Sequence, residues 1–182
     1  MYDQPSQPSL TGLFGTVLIF MLVAAYGFMA LNTEDALWFW SKFEETPSEI
    51  VVFCYGEPKV ITQGTPQLTE LTSLLNETIS GPKNWDSLSM SDETYANYQV
   101  GSDAMVLEAR YPSPVRIHTT YKYFSHVGAI IVPLEGRHSQ TYAVFGRTGT
   151  EFAAGSLHVQ DINPMKDFLN SEGICSTRLS SD

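Results

Sequence analysis

The feature that most constrains this chain is an apolar run near its N-terminus, residues 10–31, which contains no charged side chain. As an α-helix the run would span about 33 Å at ~1.5 Å per residue, enough to cross a hydrocarbon core of ~30 Å. Trp38, Phe39 and Trp40 follow it closely, and aromatic side chains in that position are typical of a membrane–water interface. The pattern predicts one transmembrane helix followed by an interfacial segment.

A cleaved signal peptide is the alternative interpretation of the same run. Val23, Ala24 and Ala25 resemble a small-residue cleavage site. A signal peptide begins with a basic region, however, and the first nine residues carry no Lys or Arg. The run is also long for the apolar part of a signal peptide. A retained anchor is therefore the favoured prediction.

The chain is acidic, with 20 Asp and Glu against 10 Lys and Arg and a formal net charge of −10. This charge argues against nucleic-acid binding, because phosphates require a basic surface. The same charge opposes adhesion of the folded domain to anionic lipid. An acidic surface keeps a protein soluble and needs no special function.

The chain has two cysteines, Cys54 and Cys175, near the two ends of its polar part. They are either unrelated buried thiols or, as we predict, a disulfide that closes a loop of about 120 residues. A disulfide indicates an oxidising compartment. Lys42 alone follows the apolar run closely, which slightly favours a cytoplasmic domain under the positive-inside rule. The cysteine pair and the acidic residues behind the run outweigh it, so we expect an extracytoplasmic domain.

The fold class predicted for residues 49–176 is α+β, with a largely antiparallel sheet of six to eight strands and two helices. The first helix has Thr65 as its cap, Pro66 in its first turn and Gly81 at its end. The second has Asn163 as its cap, Pro164 next and Gly173 as its stop. Strands are expected at residues 49–55, 59–63, 104–111, 114–120, 127–134, 140–147 and 157–160.

The connections between these elements carry further predictions. Pro112 and Ser113 indicate a tight reversal between two strands. Residues 81–99 are polar and rich in turn formers, which predicts a long irregular loop. Residues 32–48 are expected to be an interfacial segment and linker. The terminal segments 1–9 and 177–182 are expected to be tails outside the fold.

No motif in the chain indicates catalysis, a metal site or a cofactor, so none is predicted. The densest polar cluster is Glu135, Arg137 and His138 at an expected strand tip, which either binds a ligand or is a charged turn. Trp85, Tyr95 and Tyr98 lie within the predicted irregular loop. They either form a contact surface or fasten the loop to the core. These six residues are the candidate binding residues.

Three functions remain open at this level. The favoured one is a non-catalytic accessory subunit or interaction module of a membrane complex, anchored through residues 10–31, with the lipid bilayer and other subunits as partners. An anchor confines a domain to the membrane plane and raises its concentration near such partners. The alternatives are an extracytoplasmic ligand-binding or sensor module and an anchored hydrolase whose site is assembled from distant residues.

Overall fold

A computed structural model describes residues 9–175 of the chain. In this range an N-terminal helix is followed by an α+β domain of eight strands and three further helices. The predicted tails, except for Ser9, lie outside the described residues. The elements in chain order are α1 (Leu10–Thr33), β1 (Glu49–Cys54), β2 (Glu57–Thr62), α2 (Pro66–Ser80), β3 (Lys83–Asp86), α3 (Asp92–Val100), β4 (Met105–Val115), β5 (Val127–Glu135), β6 (Ala143–Thr148), β7 (Glu151–Phe152), β8 (Ser156–Val159) and α4 (Asn163–Ser171).

Helix α1 has the length and composition of a membrane span. Ser9 caps it, since its hydroxyl accepts a hydrogen bond from the Gly12 N–H at 3.0 Å. Its C-cap residue is Glu34, which adopts a left-handed conformation with φ 55°. Its most apolar window has a mean hydropathy of 2.2, and none of that window is buried against the protein. A signal sequence near an N-terminus shares these properties, so α1 is an anchor or a signal by composition alone.

The eight strands form one antiparallel sheet in the order β2-β1-β4-β5-β6-β8-β3, with β7 paired to β6. This confirms the predicted α+β class and its largely antiparallel sheet. A hairpin joins β1 to β2 through Tyr55 and Gly56, both of which have positive φ. The start of β1 at Glu49, the end of β4 at Val115 and the start of β5 at Val127 all lie at the same end of the sheet.

Alternating side chains of the central strands give the sheet two buried faces. Helices α2 and α4 cover the first face through Leu71, Leu75, Ile79, Met165 and Leu169. Helix α3 and the loop before it cover the second face. There they bury Tyr95, Tyr98 and Met90 against Val106, Ile131 and Phe145.

The prediction of a long irregular loop at residues 81–99 is wrong, because this stretch contains β3 and most of α3. The domain therefore has three helices rather than two. Ser91 caps α3, and its hydroxyl accepts a hydrogen bond from the Thr94 N–H at 3.1 Å. The helix has only nine residues, and burial of Tyr95 and Tyr98 on the second face of the sheet stabilises it.

The predicted reversal at Pro112 and Ser113 is also wrong, because β4 continues through both residues. Its register shifts between Arg110 and Val115, so the intervening residues have no ladder partner on β5. Proline lacks a backbone N–H and is tolerated in a strand where no ladder hydrogen bond is needed. The strand predicted at residues 104–111 thus extends to Val115, and residues 116–120 of the second predicted strand are not in a strand.

The predicted disulfide is confirmed, since Cys54 and Cys175 are bonded with their Cα atoms 5.4 Å apart. The end of β1 consequently lies beside the segment that follows α4. The predicted cap of α2 is also confirmed, because the Thr65 hydroxyl accepts from the Leu68 N–H. In α4, Asn163 is the first helical residue rather than the cap, and its N–H donates to Asp161 at 2.9 Å.

Candidate functional site

Helix α1 is attached to the domain through a polar cluster directly after its last turn. Asp35 is buried, and its Oδ1 accepts a hydrogen bond from the Leu37 N–H at 2.8 Å. Its Oδ2 lies 2.8 Å from Nδ1 of His118, in the segment after β4. Arg116 in the same segment donates to the Glu34 carbonyl at 2.5 Å and lies 3.9 Å from Asp35 Oδ1. We call Glu34, Asp35, Arg116 and His118 the helix–domain joint.

The segment that follows the joint is also fastened to the domain. The Phe43 N–H donates to the Ser80 hydroxyl at 2.8 Å, and that hydroxyl donates back to the Phe43 carbonyl at 3.2 Å. The buried Phe43 ring meets Tyr111 edge to face at 6.3 Å. The Ser48 N–H donates to the Arg110 carbonyl at 2.8 Å. The predicted linker is therefore packed along the domain.

A pocket of about 640 Å³ lies beside the joint, and we call it the juxtahelical pocket. Three segments form its walls: the linker between residues 38 and 41, the stretch 80–85 from the end of α2 through most of β3, and the loop 118–121 after β4. Trp38 and Phe39, predicted at the membrane interface, share this pocket with Trp85, predicted as a binding residue. Two separate sequence predictions thus meet at one site.

Stacked aromatic rings form one wall of the juxtahelical pocket. The ring planes of Trp85 and Tyr121 lie 22° from parallel, with centroids 5.1 Å apart. The Trp85 indole N–H donates to the Ala154 carbonyl at 3.1 Å, which sets the orientation of the ring. Tyr121 is 38% exposed, and Phe39 across the pocket is 57% exposed. The pocket therefore has an accessible aromatic rim.

Lys83 is the lysine of the juxtahelical pocket. Its ammonium donates to the Ile79 carbonyl at 2.9 Å, at the end of α2, and to the Ser41 carbonyl at 3.3 Å. No carboxylate within residues 9–175 lies within ion-pair distance of it. Burial lowers the pKa of Lys83 from its ordinary value. Its cationic form is hydrogen-bonded to two carbonyls and lacks a counter-charge among the described residues.

The predicted polar cluster does not converge on one site. Glu135 Oε2 accepts a hydrogen bond from the Tyr55 hydroxyl at 2.9 Å, and its Oε1 lies 3.2 Å from the Lys166 ammonium. Burial, reinforced by Glu135, raises the pKa of Tyr55 to about 12. Arg137 instead lines a second pocket of about 190 Å³ together with Tyr98.

His138 is buried beside two aromatic rings. Its ring centroid lies 6.0 Å from that of Tyr98 and 5.7 Å from that of Phe145. The backbone N–H of His138 donates to the Tyr98 hydroxyl at 2.8 Å. Burial, and secondarily the charge of Arg137, lowers the pKa of His138. The structure therefore brings Tyr98 together with His138 and Arg137, and places Glu135 against other partners.

Tyr95 is buried on the second face of the sheet, where its hydroxyl donates to Glu108 Oε2 at 2.6 Å. Arg110 donates to the same carboxylate oxygen at 2.8 Å. The Arg147 guanidinium lies 5.2 Å from the centroid of the Tyr95 ring. Burial, and secondarily the hydrogen bond to Glu108, raises the pKa of Tyr95. These contacts fasten α3 to the core, which is one of the two roles that the sequence left open for Tyr95.

The residues that sequence reasoning missed are Asp35 and His118 of the joint, and Lys83 and Tyr121 of the pocket. None stands in a local motif, because their partners are far away in the chain. Among the residues that the structure describes, no group of three or more His, Cys, Asp or Glu is placed to hold a metal ion.

No protein-family model, curated protein or solved structure matches the chain. The features that bear on function are those of the chain itself: the exposed apolar helix, its joint with the domain and the pocket beside that joint.

Proposed function

We propose that the chain is a non-catalytic accessory subunit of a membrane complex, anchored by α1 and presenting its α+β domain outside the cytoplasm. The observation that carries this proposal is the helix–domain joint. A buried carboxylate with a histidine 2.8 Å away resists rotation of the domain about the helix. A domain with a set orientation to the bilayer can present one face to neighbouring subunits.

The proposed role of α1 as an anchor is supported by its exposed apolar surface. The helix has 24 residues, or about 36 Å at ~1.5 Å per residue, and its apolar side chains are exposed along its length. Removing such a surface from water is favourable by roughly 25 cal/mol per Å². A bilayer with a core of ~30 Å provides that removal without any protein partner.

The proposed location of the domain outside the cytoplasm is supported by the disulfide. Cys54 and Cys175 are bonded, and disulfides persist mainly where the environment is oxidising. Such environments lie on the non-cytoplasmic side of membranes. The net charge of −10 fits a soluble domain that is held above a membrane without lying flat on its anionic lipids.

The experiment that tests the orientation is labelling of intact cells with an impermeant thiol reagent. Both native cysteines are buried, so the probe is Ser73→Cys on the exposed side of α2, in a Cys54→Ser/Cys175→Ser background. We expect labelling of intact cells, with the cysteine-free background as the control. Labelling that requires lysis would show that the domain is cytoplasmic.

The subunit role is tested by gentle detergent extraction, a native gel and mass spectrometry of co-purifying proteins. We expect the wild-type chain in an assembly with defined partners. Asp35→Ala should weaken that assembly while α1 keeps the chain in the membrane fraction, and exposed Asp167→Ala on α4 is the matched control. Migration of the wild type as a single chain would refute the subunit proposal.

A sensor or ligand-binding module is the second candidate, because the juxtahelical pocket falls within the ~300–1,000 Å³ range of small-molecule sites. The native gel separates the two. A module of this kind migrates alone, and its melting temperature rises when a ligand is added.

A further inference from the structure

We propose that the juxtahelical pocket holds the headgroup of one bilayer phospholipid, with the lipid phosphate on Lys83 and the acyl chains leaving past Phe39 along α1. This inference rests on the proposed placement of α1 across the bilayer. It adds a specific lipid contact to that placement.

The first support is the depth of the pocket. Helix α1 ends at Thr33, and the first lining residue, Trp38, follows only five positions later. The joint holds this segment against the domain. If α1 spans the hydrocarbon core, the pocket lies at the level of the headgroups, where tryptophan and tyrosine are enriched. Its aromatic rim of Trp85 and Tyr121 fits that level.

The second support is an apolar path from the pocket to α1. The Phe39 ring lies 6.5 Å from that of Tyr26 in the last part of α1. The Tyr26 hydroxyl donates to the Ala36 carbonyl at 3.0 Å, which holds the two segments together. Both rings are substantially exposed. A ligand with a polar head in the pocket and an apolar tail on α1 would cover this path, whereas a wholly soluble phosphate compound would leave it open.

The third support is the chemistry of the pocket wall. An ammonium group has three N–H donors, and Lys83 uses two on the Ile79 and Ser41 carbonyls. The remaining donor is available to a phosphate oxygen. Asn84 and Thr120 also line the pocket, and their side chains make no hydrogen bond within the described part of the chain. They supply further donors.

The fourth support is charge. The chain has 20 acidic residues, yet no Asp or Glu is among the described residues that line this pocket. The nearby Asp35 carboxylate is turned to His118 in the joint. A phosphate in the pocket would therefore meet an uncompensated ammonium group in an otherwise acidic protein. Burial lowers the pKa of Lys83, which a bound anion would counteract.

The test is native mass spectrometry of the full chain in mild detergent after delipidation. Three probes are added separately: phosphatidylglycerol, diacylglycerol as the matched lipid without a phosphate, and inorganic phosphate. We expect one phosphatidylglycerol per chain, with retention at least about tenfold above that of diacylglycerol, a ratio within reach of one charge-assisted contact. Inorganic phosphate alone should not be retained.

Two variants assign the lipid to this pocket. Lys83→Met removes the ammonium group, and Thr120→Trp fills the pocket at an exposed position that makes no hydrogen bond in the described structure. Both should lose about tenfold or more in retention of phosphatidylglycerol. The controls are Lys59→Met on edge strand β2 and Ser73→Trp on α2, both exposed and outside the pocket, which should retain it. If Lys83→Met does not fold, Thr120→Trp decides.

The inference would be overturned if Thr120→Trp retained as much phosphatidylglycerol as the wild type, or if the wild type retained diacylglycerol equally well. Binding of inorganic phosphate in preference to lipid would also overturn it, as would a peptide recovered in place of lipid. Extraction of membranes with alkaline carbonate separates this failure from that of the anchor. A chain that stays in the membrane but fails the lipid tests refutes the lipid site alone. A chain that carbonate releases refutes the proposed anchor and the lipid site with it.

Discussion

Nδ1 of His118 lies 2.8 Å from Oδ2 of Asp35, although the two are 83 positions apart in the chain. Asp35 is the second residue after α1, and His118 lies three residues beyond the end of β4. This contact therefore links the end of the apolar helix to the segment that follows the central strand β4. The domain is held in place at the end of the helix.

Replacing the buried carboxylate should weaken this link. Asp35→Ala leaves His118 and the Leu37 N–H without their acceptor, which should lower the free energy of unfolding by about 1–3 kcal/mol. Chemical denaturation of the full chain in detergent measures the change, and protease cleavage in residues 36–48 should rise as well. Exposed Asp167→Ala on α4 is the control. Equal stability of the two variants would contradict a structural role for the joint.

Removing the disulfide should destabilise the domain without changing its fold. Cys54 and Cys175 are 121 positions apart, and the chain-entropy model assigns a bridge of that span about 4–5 kcal/mol. Cys54→Ser/Cys175→Ser should therefore melt at a lower temperature than the wild type. Reductant should lower the melting temperature of the wild type by a similar amount and leave that of the variant unchanged. A variant that melts like the oxidised wild type would rule out this contribution.

The hydrogen bond from the Tyr95 hydroxyl to the buried carboxylate of Glu108 should stabilise the folded protein. Tyr95→Phe removes the hydroxyl that donates to Glu108 Oε2 at 2.6 Å, which should cost about 1–3 kcal/mol in the free energy of unfolding. Tyr123→Phe is the matched control, because that side chain is exposed and its hydroxyl has no hydrogen bond in the described structure. Chemical denaturation compares the two. A loss in Tyr123→Phe as large as that in Tyr95→Phe would contradict the prediction.

Two glycines with positive φ should respond differently to alanine. At Gly149, with φ 61°, an added Cβ meets no atom of the described residues within 4 Å, so the cost is backbone strain of about 1–2 kcal/mol. At Gly155, with φ 81°, the Cβ would also overlap the Asp86 carbonyl oxygen and the Trp85 indole. Gly155→Ala should therefore melt well below Gly149→Ala in thermal denaturation. Equal melting temperatures would show that Trp85 is not held where the pocket requires it.

Stability should fall in mild acid because of His138. Its pKa in the folded protein is below the ordinary value of 6.5, so the unfolded chain binds a proton more readily. The contribution of neutral His138 to the free energy of unfolding is therefore fully present above pH 6.5. It is lost as the pH falls from 6.5 towards the lowered pKa of the folded protein. His138→Phe should flatten this dependence, whereas exposed His158→Phe should not. Denaturation curves at pH values on both sides of 6.5 measure it, and identical slopes in the two variants would refute the assignment.

Several elements of the fold followed from signals that lie close together in the sequence. The uncharged run predicted α1 to within two residues of its end, and Thr65, Pro66 and Gly81 bounded α2. A cap or an apolar run acts on neighbouring residues only, so a local pattern is sufficient. With two cysteines in the chain, one intramolecular pairing exists, and the bond could be predicted without knowledge of the fold.

Other elements depended on contacts that no local pattern contains. Helix α3 has nine residues, too few to be stable alone, and it forms because Tyr95 and Tyr98 pack on a second sheet face that sequence reasoning had not anticipated. Pro112 indicated a turn, but the strand continues because no partner requires a hydrogen bond at that position. In both cases tertiary packing outweighed the local preference.

The chain by itself determined an apolar helix, an acidic α+β domain and one disulfide, since composition and short-range pattern are sufficient for these. Only the tertiary structure decided that Asp35 meets His118, that Lys83 lies beside Ser41, and that Trp38, Trp85 and Tyr121 line one pocket. The order of strands in the sheet sets which distant loops become neighbours. That order results from the packing of both faces at once, which no single segment of the sequence encodes.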